Sequence, residues 1–294
     1  MRARPLAVAA GVSADVVFGE PPLRPHPLAI FGKVMGAAER RAYADRRSAG
    51  VLHALVGAAI GVGAGAALRS TAAATYLAVA ERALGSTAME IAATLQRGDL
   101  EGARAMLPRL VGRETSGLDE KEMARAVIES VAENTVDALV APACWAVLAG
   151  ASGALGYRAV NTLDARVGHR NARYERFGWA SARLDDLANF VPARLTAALV
   201  AAVCPRAAGA VLRAVREDAP RHPSPNAGVA EGAFAAALGL RLGGTNRYGE
   251  RVEVRPSLGN GRPPEPADIA RAVELSRRVT LALLGCLVMA GLCT

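Results

Sequence analysis

Aromatic residues make up only 4% of this 294-residue chain, and lysine is scarce although the formal net charge is +8. The positive charge is therefore almost all arginine. Few aromatics leave little for nucleobases to stack on. No zinc-finger spacing, RNP-like motif or basic block interleaved with aromatics is present, so no nucleic-acid partner is expected. Anionic lipid headgroups and phosphorylated substrates are the partners that fit the charge. Cysteine is also sparse. Cys144, Cys204, Cys286 and Cys293 lie mostly in apolar runs without a CxxC pair. They read as small buried hydrophobes, neither disulfides nor metal ligands. A Walker A loop, a GxSxG elbow, an HExxH helix and a GxGxxG turn are all missing, as is any internal repeat.

What the chain has in quantity is small apolar residues. It is 52% hydrophobic with a mean hydropathy of +0.20 despite 21% charged residues. Alanine and glycine supply much of this, as in closely packed membrane helices. Residues 49–68 carry no formal charge apart from a possible one on His53 and are about as long as a bilayer core requires. Their Gly57, Gly61, Gly65 spacing forms a helix-packing ridge, with His53 read as a packing histidine. Residues 5–17 read as a short retained membrane or interfacial segment, and 33–47 as a basic cytoplasmic flank. Residues 138–157 are again uncharged, but Pro142, Gly150, Gly153 and Gly156 argue for a broken or re-entrant path. Pro205 and Arg206 interrupt the apolar run 195–212, and 268–294 form a last helix. The expected fold is all-α: one integral-membrane domain over residues 1–294, multi-pass, with re-entrant or surface-lying helices. A surface loop is expected at 245–267. If 138–157 and 195–212 both crossed the membrane, block 158–194 would face away from the other polar blocks. A single polar site on the cytosolic face therefore needs fewer full spans than hydropathy counts.

The stretch 113–137 reads as a capped helix, with Thr115 and Ser116 as N-cap candidates. At about 100° per residue Glu122, Glu129 and Glu133 share a face, with Arg125 beside them and Asp119 and Asp137 at its edge. Like charges four apart weaken a helix, so either a cation sits opposite or the face is solvated. Three further polar clusters accompany it: Glu20, Arg24 and His26; Asn161 and Asp164 with Arg183, Asp185, Asp186, Asn189 and Arg194; and His222, Ser224, Asn226 and Glu231. Carboxylates and amides one turn apart, as at Asp185 and Asn189, suit a hard cation such as Mg²⁺ together with phosphate oxygens. Arginines suit phosphate. A solvated Asp pair and a turn at HPSPN are the bland readings of the same residues.

The strings FGEPPLRPHP, RETSGLDE, ARAVIESVAENTVD, APACW, YRAVNTLDARVGHRNARYERFGWASARLDDLANFVPARLTA and HPSPNAGVAEGAFAAALGLRLGG closely resemble the adenosylcobinamide-phosphate synthase family of cobalamin biosynthesis (CobD/CbiB). The similarity runs in order from about residue 15 to 249. It departs at Ala138, where glycine is expected, and fades beyond 250. It implies a multi-pass cytoplasmic-membrane ligase with a cytosolic active site. Such a ligase joins adenosylcobyric acid to (R)-1-aminopropan-2-ol or its O-phosphate by an amide bond. The corrinoid is substrate and ATP with Mg²⁺ the activating pair. Membrane lipids, and other late cobalamin-assembly membrane enzymes, are the expected surroundings.

Amide chemistry then distributes roles. A carboxylate must be activated, most simply as an acyl phosphate, and the amine must lose its proton. Glu129, Glu133, Asp185 and Asp186 are the expected Mg²⁺ ligands and catalytic acids, and His222 the proton-transfer group. Arg113, Arg183 and Arg194 are expected on phosphates, and Asn161 and Asn226 orient substrate. Arg24, His26, Asn134, Asp164, Asn189 and Ser224 complete the binding set. Two other functions fit the same residues: a Mg²⁺-diphosphate-dependent intramembrane transferase, and a non-catalytic membrane sensor or scaffold like the AmpE-type proteins.

Overall fold

The computed structural model describes residues 3–112, 114–169, 171–248 and 251–293. Helices α1 (Ala3–Phe18), α2 (Pro27–Ala42), α3 (Arg47–Leu68), α4 (Thr71–Ala78), α5 (Glu81–Gln96), α6 (Leu100–Met106) and α7 (Glu120–Thr135) lead into a π-helical turn at Val136–Val140. Then come α8 (Ala141–Val167), α9 (Trp179–Val203), α10 (Ala208–Arg213), α11 (Ala227–Leu238), strands β1 (Leu242–Tyr248) and β2 (Arg251–Leu258), and α12 (Pro266–Cys293). Four helical stretches are long and apolar enough to cross a membrane: Arg47–Leu68, Glu120–Val167, Trp179–Val203 and Pro266–Cys293. The chain is an all-α membrane protein.

It divides into two compact units. The first comprises Met1–Ala80, Asp137–Asn189 and Leu284–Thr294; the second comprises Glu81–Val136 and Phe190–Leu283. In the first unit α3 packs along α8, which also carries α4. The glycine ridge makes this approach possible. A methyl group on Gly61 would strike the Ala159 side chain and the Leu155 carbonyl, and one on Gly65 would strike the Ala151 backbone. Gly63, on the same helix, faces open space. The opposite face of α3 exposes Leu52, Leu55, Val56 and Ile60, as a lipid-facing surface should. His53 is a packing residue: its Nε2 lies 3.2 Å from Met35 O and its ring 5.1 Å from that of Phe177. Gly65→Ala is therefore expected to lower thermal stability in detergent by about 1–3 kcal/mol, because backbone must move. Gly63→Ala should leave the melting temperature within error of wild type. Equal melting of both variants would refute the ridge.

Helix α8 breaks once, at Ala149 and Gly150 (φ 64°, ψ −145°). Pro142, also expected to break it, follows at once on the π-helical turn, and the Ala138 carbonyl, which the proline has no N–H to meet, accepts Ala80 N–H at 3.0 Å. Within 158–194, Asn161 and Asp164 ride on α8, and Asp185, Asp186 and Asn189 on α9, so polar side chains lie within the candidate spans themselves. Burial of all the cysteines is not found. All four are free, and Cys286 and Cys293 are exposed on α12, which also exposes Leu281, Val288, Met289 and Leu292.

In the second unit α7 packs against α5 and α11 over a core that includes Ile91, Leu95, Met123, Ile128 and Phe234. The N-cap of α7 is Asp119, not Thr115 or Ser116. Its carboxylate accepts Glu122 N–H at 2.8 Å while Glu122 accepts Asp119 N–H at 3.0 Å, a reciprocal cap that satisfies two end groups at once. Ser116 donates to Glu114 at 3.1 Å. Over 245–267, where a loop is expected, β1 and β2 pair antiparallel, Gly244 opposite Arg255 and Asn246 opposite Glu253. The alternation runs against the usual sense: Val252 and Val254 are exposed while Glu253 and Arg255 are half-buried.

Candidate functional site

Each unit gathers a polar cluster of its own. In the second unit the acidic stripe of α7 meets the hairpin. Arg125 donates to Gly243 O at 2.6 Å and Thr245 O at 3.0 Å, and lies 3.4 Å from Glu129 one turn on. Glu129 Oε1 also accepts Gly243 N–H at 2.9 Å. Gly243 (φ +86°) must be glycine here: a methyl group would strike the Pro256 carbonyl. The cation facing the stripe is Arg255 of β2. Its Nη1 is 3.8 Å from Glu133 Oε1 and 3.4 Å from Glu231 Oε1.

Glu231 is the one charged residue of α11 and is fully buried. Burial first, then Glu129 and Glu133, push its carboxyl well above the usual carboxylate range. Glu133 reaches solvent, with a side chain 36% exposed. Behind Glu231 stands His222, Nε2 3.7 Å from Glu231 Oε1 and without a hydrogen-bond partner. Burial, followed by the charge of Arg255, holds its pKa below the ordinary 6.5. His222 Nδ1 lies 3.1 Å from Ser224 N and 3.2 Å from Ser224 O. It can accept from the amide in one tautomer and donate to the carbonyl in the other without moving. Ser224 Oγ accepts the N–H groups of Asn226 (3.3 Å) and Ala227 (3.2 Å) and so starts α11. Asn226 Oδ1 takes Arg194 Nη1–H at 3.3 Å, and Arg194 stacks 3.5 Å over Phe190. The HPSPN turn is thus a built support for one histidine. The arrangement is a chain of proton-holding groups, Glu133–Glu231–His222, running from solvent into the core beside a guanidinium.

In the first unit Asp185 is held by two amides, Asn161 Nδ2 at 3.2 Å and Asn189 Nδ2 at 3.0 Å. Tyr157 OH donates to Asn189 Oδ1 at 2.9 Å, and Arg158 to Asn161 Oδ1 at 3.1 Å. Asp164 feels the charges of Asp185 and Asp186. Asp186 pairs with the exposed Arg183 at 3.4 Å.

The four expected Mg²⁺ ligands therefore divide between the units, Glu129 and Glu133 in one and Asp185 and Asp186 in the other. Among the described residues no group of three or more His, Cys, Asp or Glu gathers as a metal site. Arg24 is exposed; His26 caps α2, accepting Leu28 N–H at 3.3 Å. Asn134 bonds back to Ser130 of its own helix at 2.9 Å. Arg113 lies outside the described residues. Sequence reasoning left out Arg255, Tyr157 and Arg158, and placed Glu231 in a cluster without a role. A single carboxylate inside the apolar run GVAEGAFAAALG was a usable signal for Glu231.

A family model described as CobD/Cbib protein matches residues 8–276. A cobalamin biosynthesis protein CobD of Mycobacterium tuberculosis (strain ATCC 25618 / H37Rv) is 49% identical over 291 residues, covering 94% of this chain and 92% of its own length. Proteins of the same description from Stutzerimonas stutzeri (42% over 282 residues, 92% of each chain) and Geobacter metallireducens (41% over 282 residues, 89% of this chain and 87% of the relative) are also similar. No solved structure matches.

Proposed function

The chain belongs to the CobD/CbiB family, and from that premise we propose that it acts in cobalamin biosynthesis as an ATP-dependent amide-forming ligase. Its substrates are adenosylcobyric acid and (R)-1-aminopropan-2-ol or the O-phosphate of that amine. It works in the cytoplasmic membrane with its site open to the cytosol, where ATP is. The observation that carries this reading is the Glu133–Glu231–His222 chain beside Arg255.

The corrinoid carboxylate is activated as an acyl phosphate. The amine nitrogen then attacks the carbonyl carbon, the C–N bond forms, and the C–O bond to phosphate breaks. The ammonium proton has to leave before attack. Glu133, at the solvent end of the chain, takes it, and Glu231 and His222 relay the proton. Attack leaves the carbonyl oxygen negative and the nitrogen positive; Arg255 opposes the oxyanion, the nitrogen gives its extra proton to the departing phosphate, and Arg113, Arg183 and Arg194 hold phosphates. Mg²⁺ bound with ATP would offset phosphate charge, and its ligands would be drawn from Glu129, Glu133, Asp185 and Asp186. Within the second unit Glu133 reaches solvent whereas Glu129 is held by Arg125 and the Gly243 N–H, and within the first Asp186 reaches solvent whereas Asp185 is held by two amides, so Glu133 and Asp186 are the better candidates, each in its own unit. One or two carboxylates plus phosphate oxygens is how Mg²⁺ is usually bound at such sites.

The test is amide synthesis by the purified protein in detergent, with both amines, with and without ATP and Mg²⁺. ATP-dependent product is expected, and Glu133→Gln and Asp186→Asn should each lower turnover. Asp186→Asn should also raise the Mg²⁺ concentration needed for half-maximal rate. Product without ATP, or full activity in both variants, would sink these assignments.

A further inference from the structure

The second unit also holds a cleft of about 420 Å³ between the first turns of α7 and the start of the hairpin. Four cations line it: Lys121, Arg125, Arg241 and Arg255. Its two carboxylates, Asp119 and Glu122, are turned to the helix end, each accepting the other's backbone N–H. Lys121 and Arg241 are exposed, and neither side chain has a hydrogen-bond or ion-pair partner among the described residues. Arg125 uses three of the five N–H donors a guanidinium carries on Glu129, Gly243 and Thr245, which leaves two. Arg125 and Arg255 are already ion-paired, so what the cleft offers a ligand is the Lys121 ammonium, the Arg241 guanidinium and the spare donors of Arg125, with space, on the rim of the α7 stripe.

Forked guanidiniums beside a lysine are matched by an anion with several equivalent oxygens. The geometry points to a binding subsite for the phosphate group of a soluble phosphate ester, with Lys121 and Arg241 as its principal contacts. Two such esters carry the same chemistry, a nucleoside triphosphate and an amino-alcohol phosphate. Binding stands on the cleft alone, whereas its assignment to a reaction step rests on the ligase reading above.

The experiment is calorimetric titration of the full chain in phosphatidylcholine nanodiscs. The probes are a non-hydrolysable ATP analogue with Mg²⁺, aminopropanol phosphate, and pyrophosphate. At least one should bind, more weakly as salt rises. The Lys121→Ala/Arg241→Ala double variant should lose at least about tenfold in affinity, since both principal charge-assisted contacts to the phosphate are removed. Both side chains are exposed, so melting should be unchanged, and Arg206→Ala should bind like wild type. Loss confined to the ATP analogue assigns the cleft to nucleotide, and loss confined to the amine phosphate assigns it to that substrate. The inference is overturned if no probe binds, if the double variant binds normally, or if only phosphatidylglycerol discs distinguish the two proteins. Normal phosphate binding without any amide product would leave the cleft standing and remove the ligase reading. Amide synthesis with unchanged KM for both phosphate substrates in the double variant would do the reverse.

Discussion

Replacing His222 with alanine is expected to lower kcat for amide formation by about 10²–10⁴-fold, the usual range for a proton-transfer group, while substrate binding is retained. The residue sits at the inner end of the Glu133–Glu231 chain, and its imidazole can exchange tautomers against Ser224 without a change of position. His222→Asn keeps an acceptor for the Ser224 N–H but cannot carry the proton. It should match the alanine variant in kcat while melting close to wild type. Because burial and then Arg255 hold the imidazole below its ordinary 6.5, its neutral form persists into mild acid. The acid limb of the kcat–pH profile should accordingly fall below pH 6.5. An acid limb above that value, or wild-type kcat in His222→Asn, would remove His222 from the chemistry.

The same two groups pull stability in opposite directions, and the signs are separable. His222 has a depressed folded pKa, so its contribution is complete above the unfolded value of 6.5 and is lost as pH falls through the folded one. Glu231 has a raised folded pKa, so its contribution is complete below the unfolded 4.5 and is lost as pH rises through the folded one. Glu231→Gln removes only the second term. It should flatten the decline of melting temperature toward alkaline pH and leave the acid side as in wild type.

The span at 49–68 was legible because uniform apolar composition and a four-residue glycine repeat need no long-range knowledge. The acidic stripe was legible for a similar reason, since a helical period fixes which of its carboxylates share a face. What answers the stripe was not. Arg255 reaches it only through the pairing register of a hairpin whose valines face outward, which conceals the strand as well as the arginine. The cap of α7 lay within five residues of the expected one, but Thr115, Ser116 and Asp119 are all good caps, and only the backbone path selects among them. In the polar block at 158–194 the helical spacing of Asp185 and Asn189 was legible, but the partner that answers it was not: Asn161 comes from α8, and Asn161 and Asn189 both donate to Asp185. The division of Glu129 and Glu133 from Asp185 and Asp186 into two units was not legible, since a compact unit is defined by contacts at long separation.

Replacing Arg125 with methionine is expected to destabilise the protein by about 3–5 kcal/mol, because it leaves a buried carboxylate without its cation. Arg125 and Glu129 have side chains only 9% and 4% exposed, so solvent does not screen the loss. Three acceptors are affected together: Glu129 Oε1 loses its guanidinium, and the carbonyls of Gly243 and Thr245 lose their donors. Methionine fills most of the volume, so the cost is electrostatic and not a cavity. The double variant Arg125→Met/Glu129→Met removes the stranded charge and should recover part of the loss. Glu129→Gln alone should cost less than Arg125→Met, since an amide oxygen still accepts from Gly243. Thermal melting in detergent, with the fraction of strand followed by infrared absorption, reads both the stability and the hold on β1. Because the hairpin also carries Arg255, loosening β1 should take turnover down with stability. If Arg125→Met melts like wild type, the guanidinium is not what anchors the hairpin to α7. The positive charge facing Glu133 and Glu231 would then have to be positioned by β2 alone.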